Sequence, residues 1–446
     1  MRILKNIYFS WQRIRKKIFD SNLGKKLKHE DLFFVTLSFY LFVQVFSESQ
    51  LIDLFLTGNI LFAFRIILMM LFAIQAVVSL DSMDILHKTK MKLDIKNIFL
   101  VMFLIFSVIN AFFCGGGQGL LTLIFIVFSA RGKALKQIFN NVLISLTVSH
   151  FFVLFLCEIG FLSDSIDIRW LGNQTGEIFS GEYVRHTFGF LNSNQIPLIF
   201  MLLLFMYVGV RAEKLTVKET ILAGIINYFV FKYCGSRISY VLVFLFLIVF
   251  WCVRTYPLKK KIKINWLVIG YIVYPITFLI SLIGAYAYKI DSMFWTYVNL
   301  ILNNRLILAN KLLFAYPLSI FGYGKYAGTY SGLGEATADN GYVLMFLQMG
   351  IVLSVMILIL HEYIMHICIK KKCTPLVLCL AFIAIENLIN AHMPSYKLLP
   401  LYCILVNSDD PFLDSSRWLN RTKIGVADKV SIMLYEIKCK LNKNRK

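Results

Sequence analysis

The chain has 446 residues, of which 58% are apolar or aromatic and only 16% carry a charge. A soluble domain averages about 45–50% apolar and about 25% charged residues, so this composition excludes an ordinary soluble protein. With 40 Phe and only 8 Pro, it also excludes a disordered or collagen-like chain. The net charge of +21 comes from Lys and Arg clustered between apolar runs, which is typical of membrane-protein loops rather than of a nucleic-acid-binding face.

Apolar runs that approach the length of a membrane span recur along the chain. A helix crosses the hydrocarbon core with about 20 apolar residues, and by this criterion the sequence predicts about twelve transmembrane helices. The predicted spans are 32–46, 58–80, 97–113, 116–130, 138–160, 188–210, 219–235, 238–254, 264–284, 341–364, 374–392 and 396–407. The predicted fold class is therefore an all-α, polytopic membrane protein.

The distribution of Lys and Arg predicts the orientation. Most of them lie in alternate connecting segments, which places those segments and both termini in the cytoplasm. A basic leader (1–31) and a basic tail (408–446) flank a transmembrane domain (32–407), and both show the apolar periodicity of helices that bind membrane lipids at the interface. No cleavage site follows the first apolar run, so it is expected to remain as a signal anchor. The expected location is a bacterial plasma (inner) membrane.

Two segments predicted outside the cytoplasm are longer than a simple connection. They are 161–187 and 285–340, the second being one large extracytoplasmic loop before the tenth span. A long loop within a compact protein is usually functional or disordered. Apolar residues at helical spacing between Phe294 and Leu313 predict that the larger loop folds against the membrane surface. The chemistry is therefore expected at the outer face.

Neither a metal nor a cofactor is predicted. The 9 Cys are scattered and form no Cys-x-x-Cys pair, so they indicate neither a disulfide framework nor a metal site. The glycine-rich run from Gly322 to Gly334 lacks the preceding strand and the spacing of a nucleotide fingerprint.

The first candidate site segment joins the loop 161–187 to the sixth span. It contains Arg185, His186, Asn192 and Asn194 where a long loop meets the bilayer, and polar groups at such a point need partners. A guanidinium with amide donors and acceptors suits a sugar or a phosphate. The alternative is a polar helix start, with one of the two Asn residues as the N-cap.

The second candidate segment is a tight hairpin between the seventh and eighth predicted spans, with Ser236, Arg237 and Tyr240. The planar fork of an Arg binds phosphate oxygens bidentately, so Arg237 could hold a diphosphate. The alternative is an interfacial Arg that reaches lipid headgroups. Arg65, within the second span, is expected either to reach the interface or to line a cavity.

The large loop supplies the remaining candidates. Arg305 lies on its helical part, and Tyr323 lies in the following Phe-Gly-Tyr-Gly turn. Asp339, Asn340 and Tyr342 lie where the loop returns to the tenth span. Asp339 could act as a base toward a sugar hydroxyl or, equally, cap that helix.

A further polar face lies inside the eleventh span. It contains Glu386 and Asn387, with Asn390 and His392, and is expected to pack inward.

Along the chain, the candidate segments occur in this order: Arg185-x-x-Phe-Gly-Phe-x-Asn-x-Asn, Ser236-Arg237-x-x-Tyr, Asn304-Arg305-Leu, Phe-Gly-Tyr-Gly, and Asp339-Asn340-Gly-Tyr342 followed by Gly350-Ile351. This order resembles the Wzy-type polysaccharide polymerases, within the O-antigen polymerase and ligase superfamily. The resemblance covers about residues 185–360. The chain departs from the family in having Ser193 where Pro is common, and Asp339 where related ligases tend to carry His, which favours a polymerase.

The resemblance implies an inverting, metal-independent glycosyltransferase that needs no cofactor. It would join undecaprenyl-diphosphate-linked oligosaccharide repeats into a surface polysaccharide (capsule, exopolysaccharide or O-antigen), with a flippase and a chain-length regulator as protein partners and no nucleic acid. The implied catalytic residues are Arg185, Arg237 and Arg305, which would hold the diphosphate, and Asp339 as the base. The implied substrate-binding residues are His186, Asn192, Asn194, Tyr240, Tyr323, Asn340, Tyr342 and Arg65.

Two other functions remain open from the sequence. A flippase for lipid-linked oligosaccharides would place charged residues around a midplane cavity and have short loops throughout. An O-antigen-type ligase would transfer the finished glycan to a different acceptor, and the sequence separates it poorly from a polymerase.

Overall fold

The computed structural model describes residues 29–54, 58–81, 95–113, 118–171, 181–212, 214–255, 266–289, 292–302, 305–324, 340–390 and 393–414. Helices dominate these ranges, so the predicted helical class is confirmed. In chain order they are α1 (His29–Phe46), α2 (Leu51–Leu54), α3 (Gly58–Asp81), α4 (Ile95–Phe113), α5 (Gln118–Ser129), α6 (Leu135–Glu158), α7 (Gln195–Arg211), α8 (Val217–Cys234), α9 (Arg237–Thr255), α10 (Gly270–Ala287), α11 (Met293–Ile301), α12 (Arg305–Ala315), α13 (Gly341–Lys370), α14 (Thr374–Glu386) and α15 (Leu399–Tyr402). Short 3₁₀ turns are Trp266–Ile269, Tyr396–Leu398, Cys403–Leu405 and Pro411–Leu413.

Within the described ranges, five helices are long and apolar enough to cross a membrane, so the fold is that of a multi-pass membrane protein. Their qualifying segments are Ile60–Val77, Leu135–Glu158, Arg237–Arg254, Leu267–Ala287 and Gly341–Lys370. Several other predicted spans coincide with shorter apolar helices, among them α1, α5, α7 and α14. The total of twelve spans stays a prediction.

Helix α6 shows how such a span divides its surface. Ile144, Val148, Phe151 and Phe155 recur at helical spacing and are exposed, as expected of a face toward lipid. The opposite face is buried against α1, α7 and α15. An apolar residue on either face is favourable in a bilayer, so α6 needs no polar surface along its length.

The segment 161–187 contains structure that the sequence analysis did not predict. Ile166–Leu171 (β1) and Gly181–His186 (β2) form an antiparallel hairpin in which Asp167 pairs with Arg185. The helical class stands with the addition of this hairpin, whose first strand alternates apolar and polar residues but is short and stands between much longer apolar runs. An isolated bridge between Ser49 and Phe190 joins the end of α1 to the segment after the hairpin.

The predicted helical pattern in the large loop is confirmed as two helices, α11 and α12. The side-chain oxygen of Asn299 accepts hydrogen bonds from the backbone N–H groups of Leu306 and Ile307, both at 3.1 Å, and so caps α12. Helix α12 buries its apolar face against α10 and α13. This packing fixes Arg305, the first residue of α12, against the bundle.

Helix α13 is kinked at Gly350, whose φ of 79° and ψ of 171° interrupt the helical conformation. The segment 319–323, which follows α12, packs into this break. Tyr323 N–H donates to Leu347 O (2.8 Å), and Ile351 N–H donates to Ser319 O (2.9 Å). A Cβ on either Gly322 or Gly350 would lie within 3.0 Å of backbone atoms of the other segment. Gly322 of the Phe-Gly-Tyr-Gly segment and Gly350 therefore serve one close backbone contact.

Candidate functional site

A cavity of about 540 Å³ lies between the end of α1, the start of α7 and the segment before α15. Its volume is within the usual range of small-molecule sites. Leu191 and Asn192 lie at its exposed rim, so it communicates with the surface. Its polar lining residues are Tyr40, Gln44, Ser47, Glu48, Asn192, Asn194, Gln195, Asn390, Ser395, Tyr396 and Lys397.

The first predicted segment contributes directly to this cavity. Asn192 and Asn194 line it, and the Asn194 side-chain oxygen accepts a hydrogen bond from Nη2 of Arg185. Asn194 precedes α7 but makes no side-chain cap hydrogen bond, so its amide serves the arginine instead. Nε of Arg185 donates to Cys234 O at 2.8 Å, and the side chain is buried. One guanidinium thus connects the hairpin, the end of α8 and the cavity wall.

The carbonyl that receives Arg185 is placed by the end of α8. Gly235 adopts the left-handed conformation (φ 67°), and its N–H donates to Phe231 O at 2.8 Å. This is the usual glycine termination of a helix, and it lets α9 begin at Arg237. The Arg237 side chain is exposed and does not line the cavity. Tyr240 stacks on Phe231, with ring centroids 4.5 Å apart.

Arg305 approaches the cavity from α12. Its Nη2 donates to Oδ1 of Asn390 at 3.2 Å, and Asn390 lines the cavity. The Asn390 amide also donates to Oε1 of Glu386, so a cation and a carboxylate meet at one amide. Arg305 and Glu386 are buried, which confirms that the polar face of residues 386–390 packs inward.

Sequence reasoning missed an ion pair at the cavity wall. Nζ of Lys397 lies 3.0 Å from Oε2 of Glu48, and Nε2 of Gln195 donates to the same oxygen. The Lys397 side chain is 7% exposed, whereas that of Glu48 is 31% exposed. The available signal was the polar stretch Ser47-Glu48-Ser49-Gln50, which directly follows the first apolar run.

Arg65, predicted either to reach the interface or to line a cavity, lies beside the cavity. It interacts electrostatically with Tyr40 and Tyr396, which both line the cavity. Its Nε is buried and makes no hydrogen bond within the part of the chain that the structure describes. Arg65 is therefore near the cavity but is not among the residues that line it, so its role stays a prediction.

His186 lies outside the cavity, on the surface of the hairpin. Its Nδ1 is 2.5 Å from Oδ2 of Asp164, whose Oδ1 accepts from the backbone N–H groups of Thr187 and Phe188. These bonds fix the turn that follows β2. The structure therefore gives His186 a local role near the cavity rim rather than a place on its wall.

The remaining predicted residues have internal partners. Asn340 caps α13, its side-chain oxygen accepting from Val343 N–H (3.2 Å) and from Ser281 Oγ (2.6 Å). The Tyr342 hydroxyl is buried and donates to Ala384 O at 3.0 Å. The Tyr323 hydroxyl donates to Pro317 O at 2.8 Å. None of these three lines the cavity, and Asp339 lies outside the described residues.

The arrangement suits an anionic ligand with hydroxyl groups. The guanidinium groups of Arg185 and Arg305 donate hydrogen bonds to the amides of Asn194 and Asn390, which line the cavity. Lys397 and Arg65 add positive charge nearby. Fixed cations and amide dipoles in a partly enclosed site stabilise negative charge more strongly than they do in water. Within the described ranges, no group of three or more His, Cys, Asp or Glu residues could hold a metal ion.

Comparison of the chain with protein-family models, curated proteins and solved structures finds no match.

Proposed function

We propose that the chain is a membrane glycosyltransferase that polymerises undecaprenyl-diphosphate-linked oligosaccharide repeats into a surface polysaccharide. The single observation that carries this proposal is the 540 Å³ cavity, which places arginine-bound amides beside a lysine and a carboxylate. The motif order of the sequence supports it independently. The proposed setting is a bacterial plasma membrane, crossed about twelve times with both termini in the cytoplasm.

The proposed glycosyl transfer has two requirements that such a site must meet. When the growing glycan leaves its lipid diphosphate, negative charge develops on the departing phosphate oxygen, and fixed positive charge stabilises it. The incoming sugar must also be held with one hydroxyl against the anomeric carbon, which amide donors and acceptors can do. Arg185 and Arg305 serve the first need and Asn192, Asn194 and Asn390 serve the second. A cavity of this size holds the reacting ends of the two substrates rather than whole chains.

The test is to incubate the purified protein with a lipid-linked repeat unit in the presence of EDTA and to separate the glycans on a gel. We expect a ladder of increasing repeat number that persists in EDTA. Substrate carried into sealed vesicles without a ladder would instead support a flippase. Transfer of a finished glycan to an unrelated acceptor, again without a ladder, would support a ligase.

A pair of arginine variants links the ladder to the cavity. Arg305→Ala should abolish the ladder, because the guanidinium at Asn390 is lost. Arg211→Ala is the matched control, since Arg211 is bound to Glu219 at the opposite end of α7 from Asn194. Arg305→Lys should restore little activity, because an ammonium cannot form a bidentate fork. A normal ladder from Arg305→Ala would refute the assignment of Arg305.

A further inference from the structure

Glu48 is held at the cavity wall by its own backbone. Its carbonyl accepts from Leu191 N–H at 3.1 Å, and Gln50 N–H donates to Gly189 O at 2.9 Å. The bridge between Ser49 and Phe190 lies between these two bonds. The segment 48–50, which follows α1, is therefore fixed against the segment that carries Asn192 and Asn194, which line the same cavity.

Two donors hold the side chain of Glu48 through the same carboxylate oxygen, and the side chain of Tyr396 also lies close to this carboxylate. Lys397 and Gln195 both contact Oε2, so Oε1 is the oxygen that these two donors leave to a ligand. Both residues line the cavity, but Lys397 is buried whereas Glu48 is partly exposed. Among the lining residues in the described ranges, Glu48 carries the carboxylate.

We infer that Glu48 is the catalytic base that removes the proton from the acceptor hydroxyl, and that Lys397 is the positioning residue that orients its carboxylate. The inference rests on the proposed function and names the base for it. Asp339 was the base implied by the sequence resemblance.

The step balances without a further reactant. The acceptor oxygen forms a bond to the anomeric carbon of the growing chain as its proton passes to Oε1 of Glu48. The bond from that carbon to the diphosphate oxygen breaks, and its electron pair stays on the departing lipid diphosphate. Attack from the face opposite the leaving group inverts the anomeric carbon. Glu48 then returns the proton to water at the cavity rim.

The experiment compares Glu48→Gln with Glu158→Gln in the ladder assay. General-base catalysis typically contributes a factor of about 10²–10⁴, so Glu48→Gln should slow chain extension at least about 100-fold while binding of the lipid-linked donor persists. Glu158 is an exposed carboxylate at the end of α6 outside the cavity lining, so its variant should extend chains at the wild-type rate. Extension by Glu48→Gln within threefold of the wild-type rate would overturn the inference. So would a result in which Asp339→Asn loses activity while Glu48→Gln keeps it.

Two further variants separate a base from a structural carboxylate. Added formate should restore extension by Glu48→Ala at least tenfold, because a small carboxylate can occupy the vacated space and accept the proton. Formate should leave Glu158→Ala unchanged. If Glu48→Gln fails to fold, the double variant Glu48→Gln/Lys397→Gln leaves no uncompensated buried charge. A double variant that folds, binds donor and extends chains at the wild-type rate would also overturn the inference.

The role of Lys397 has its own measurement. Lys397→Arg keeps a cation near Oε2 and should retain most of the extension rate, whereas Lys397→Gln should lower kcat more than it raises KM for the acceptor. An equal loss in both Lys397 variants would exclude a positioning role. A wild-type protein that makes no ladder would refute the proposed function, and the base assignment with it. A wild-type ladder with an active Glu48→Gln variant would refute only the base.

Discussion

Replacing Gly350 by alanine should destabilise the bundle far more than an ordinary glycine substitution, because two backbones meet at this position. The φ of 79° and ψ of 171° at Gly350 belong to a region that L-residues with a side chain rarely adopt. A Cβ at this position would also lie within 3.0 Å of Ile320 O and Gly322 N. Neither neighbour is a flexible side chain, so the segments must separate.

The size of the effect follows from these two causes. A residue forced into so sparsely populated a conformation costs about 1–3 kcal/mol. Overpacking of a close contact costs about 1–3 kcal/mol more, which gives about 2–6 kcal/mol in total. Even the lower bound changes the ratio of folded to unfolded protein by about 30-fold, at about 1.4 kcal/mol per factor of ten. Gly224→Ala is the matched control, because Gly224 lies within α8 and its added Cβ would meet Phe244 at an ordinary 3.5 Å.

The buried thiols of the protein provide the assay. Cys368, Cys379 and Cys403 are buried, so a thiol-reactive fluorophore labels them only when the surrounding structure opens. In detergent at fixed temperature, Gly350→Ala should be labelled at least about 30-fold faster than the wild type, provided that labelling tracks the opened population. Gly224→Ala should be labelled no faster than the wild type, since alanine favours a helix interior by about 1 kcal/mol. Labelling of Gly350→Ala within threefold of the wild type would refute the reasoning.

Three further predictions use the same preparations. Gly341→Ala should cost about 1–3 kcal/mol in the labelling assay, because its Cβ would overlap the side chain of Asn387, and an unchanged rate would contradict this. Asp410→Ala should cost about 1 kcal/mol by removing the acceptor, at 2.8 Å, of the first N–H of α6, whereas Asp409→Ala, whose carboxylate is 98% exposed, should cost nothing measurable. Arg185→Lys should slow chain extension at least about tenfold, since hydrogen bonds to charged groups contribute about 1.5–3 kcal/mol and an ammonium cannot span both partners. Full activity of that variant would show that the two bonds are dispensable.

The helical class was predictable because a membrane span needs only a long apolar run, which is a local property of the sequence. The contact between Arg185 and Asn194 could also be predicted, because both residues belong to one short segment. The contact between Glu48 and Lys397 could not be predicted, because the two residues are far apart in the sequence and only tertiary packing brings them together. The hairpin was missed because the apolar alternation of its first strand covers only a few residues and its second strand, Gly181–His186, does not share it.

Tyr342 shows that a side chain expected at the site can instead have its hydrogen-bond partner in the protein interior. A tyrosine beside a polar turn was expected to face a sugar, yet its hydroxyl is satisfied in the interior by Ala384 O. Periodicity cannot distinguish the buried and cavity-facing sides of a helix that is apolar all round, as α13 is over most of its length.

The ion pair between Glu48 and Lys397 has a consequence for biogenesis. The two residues lie near opposite ends of the described chain, and Asp410, which caps α6, is supplied even later than Lys397. Because synthesis and insertion proceed from the N-terminus, the early helices enter the bilayer long before these partners emerge from the ribosome. A chain interrupted after α13 would therefore carry Asn192, Asn194 and Glu48 in the membrane without the lysine that holds the carboxylate. Assembly of the cavity therefore waits until the segment that contains Lys397 has been made, and a chain that stops earlier should lack the complete cavity.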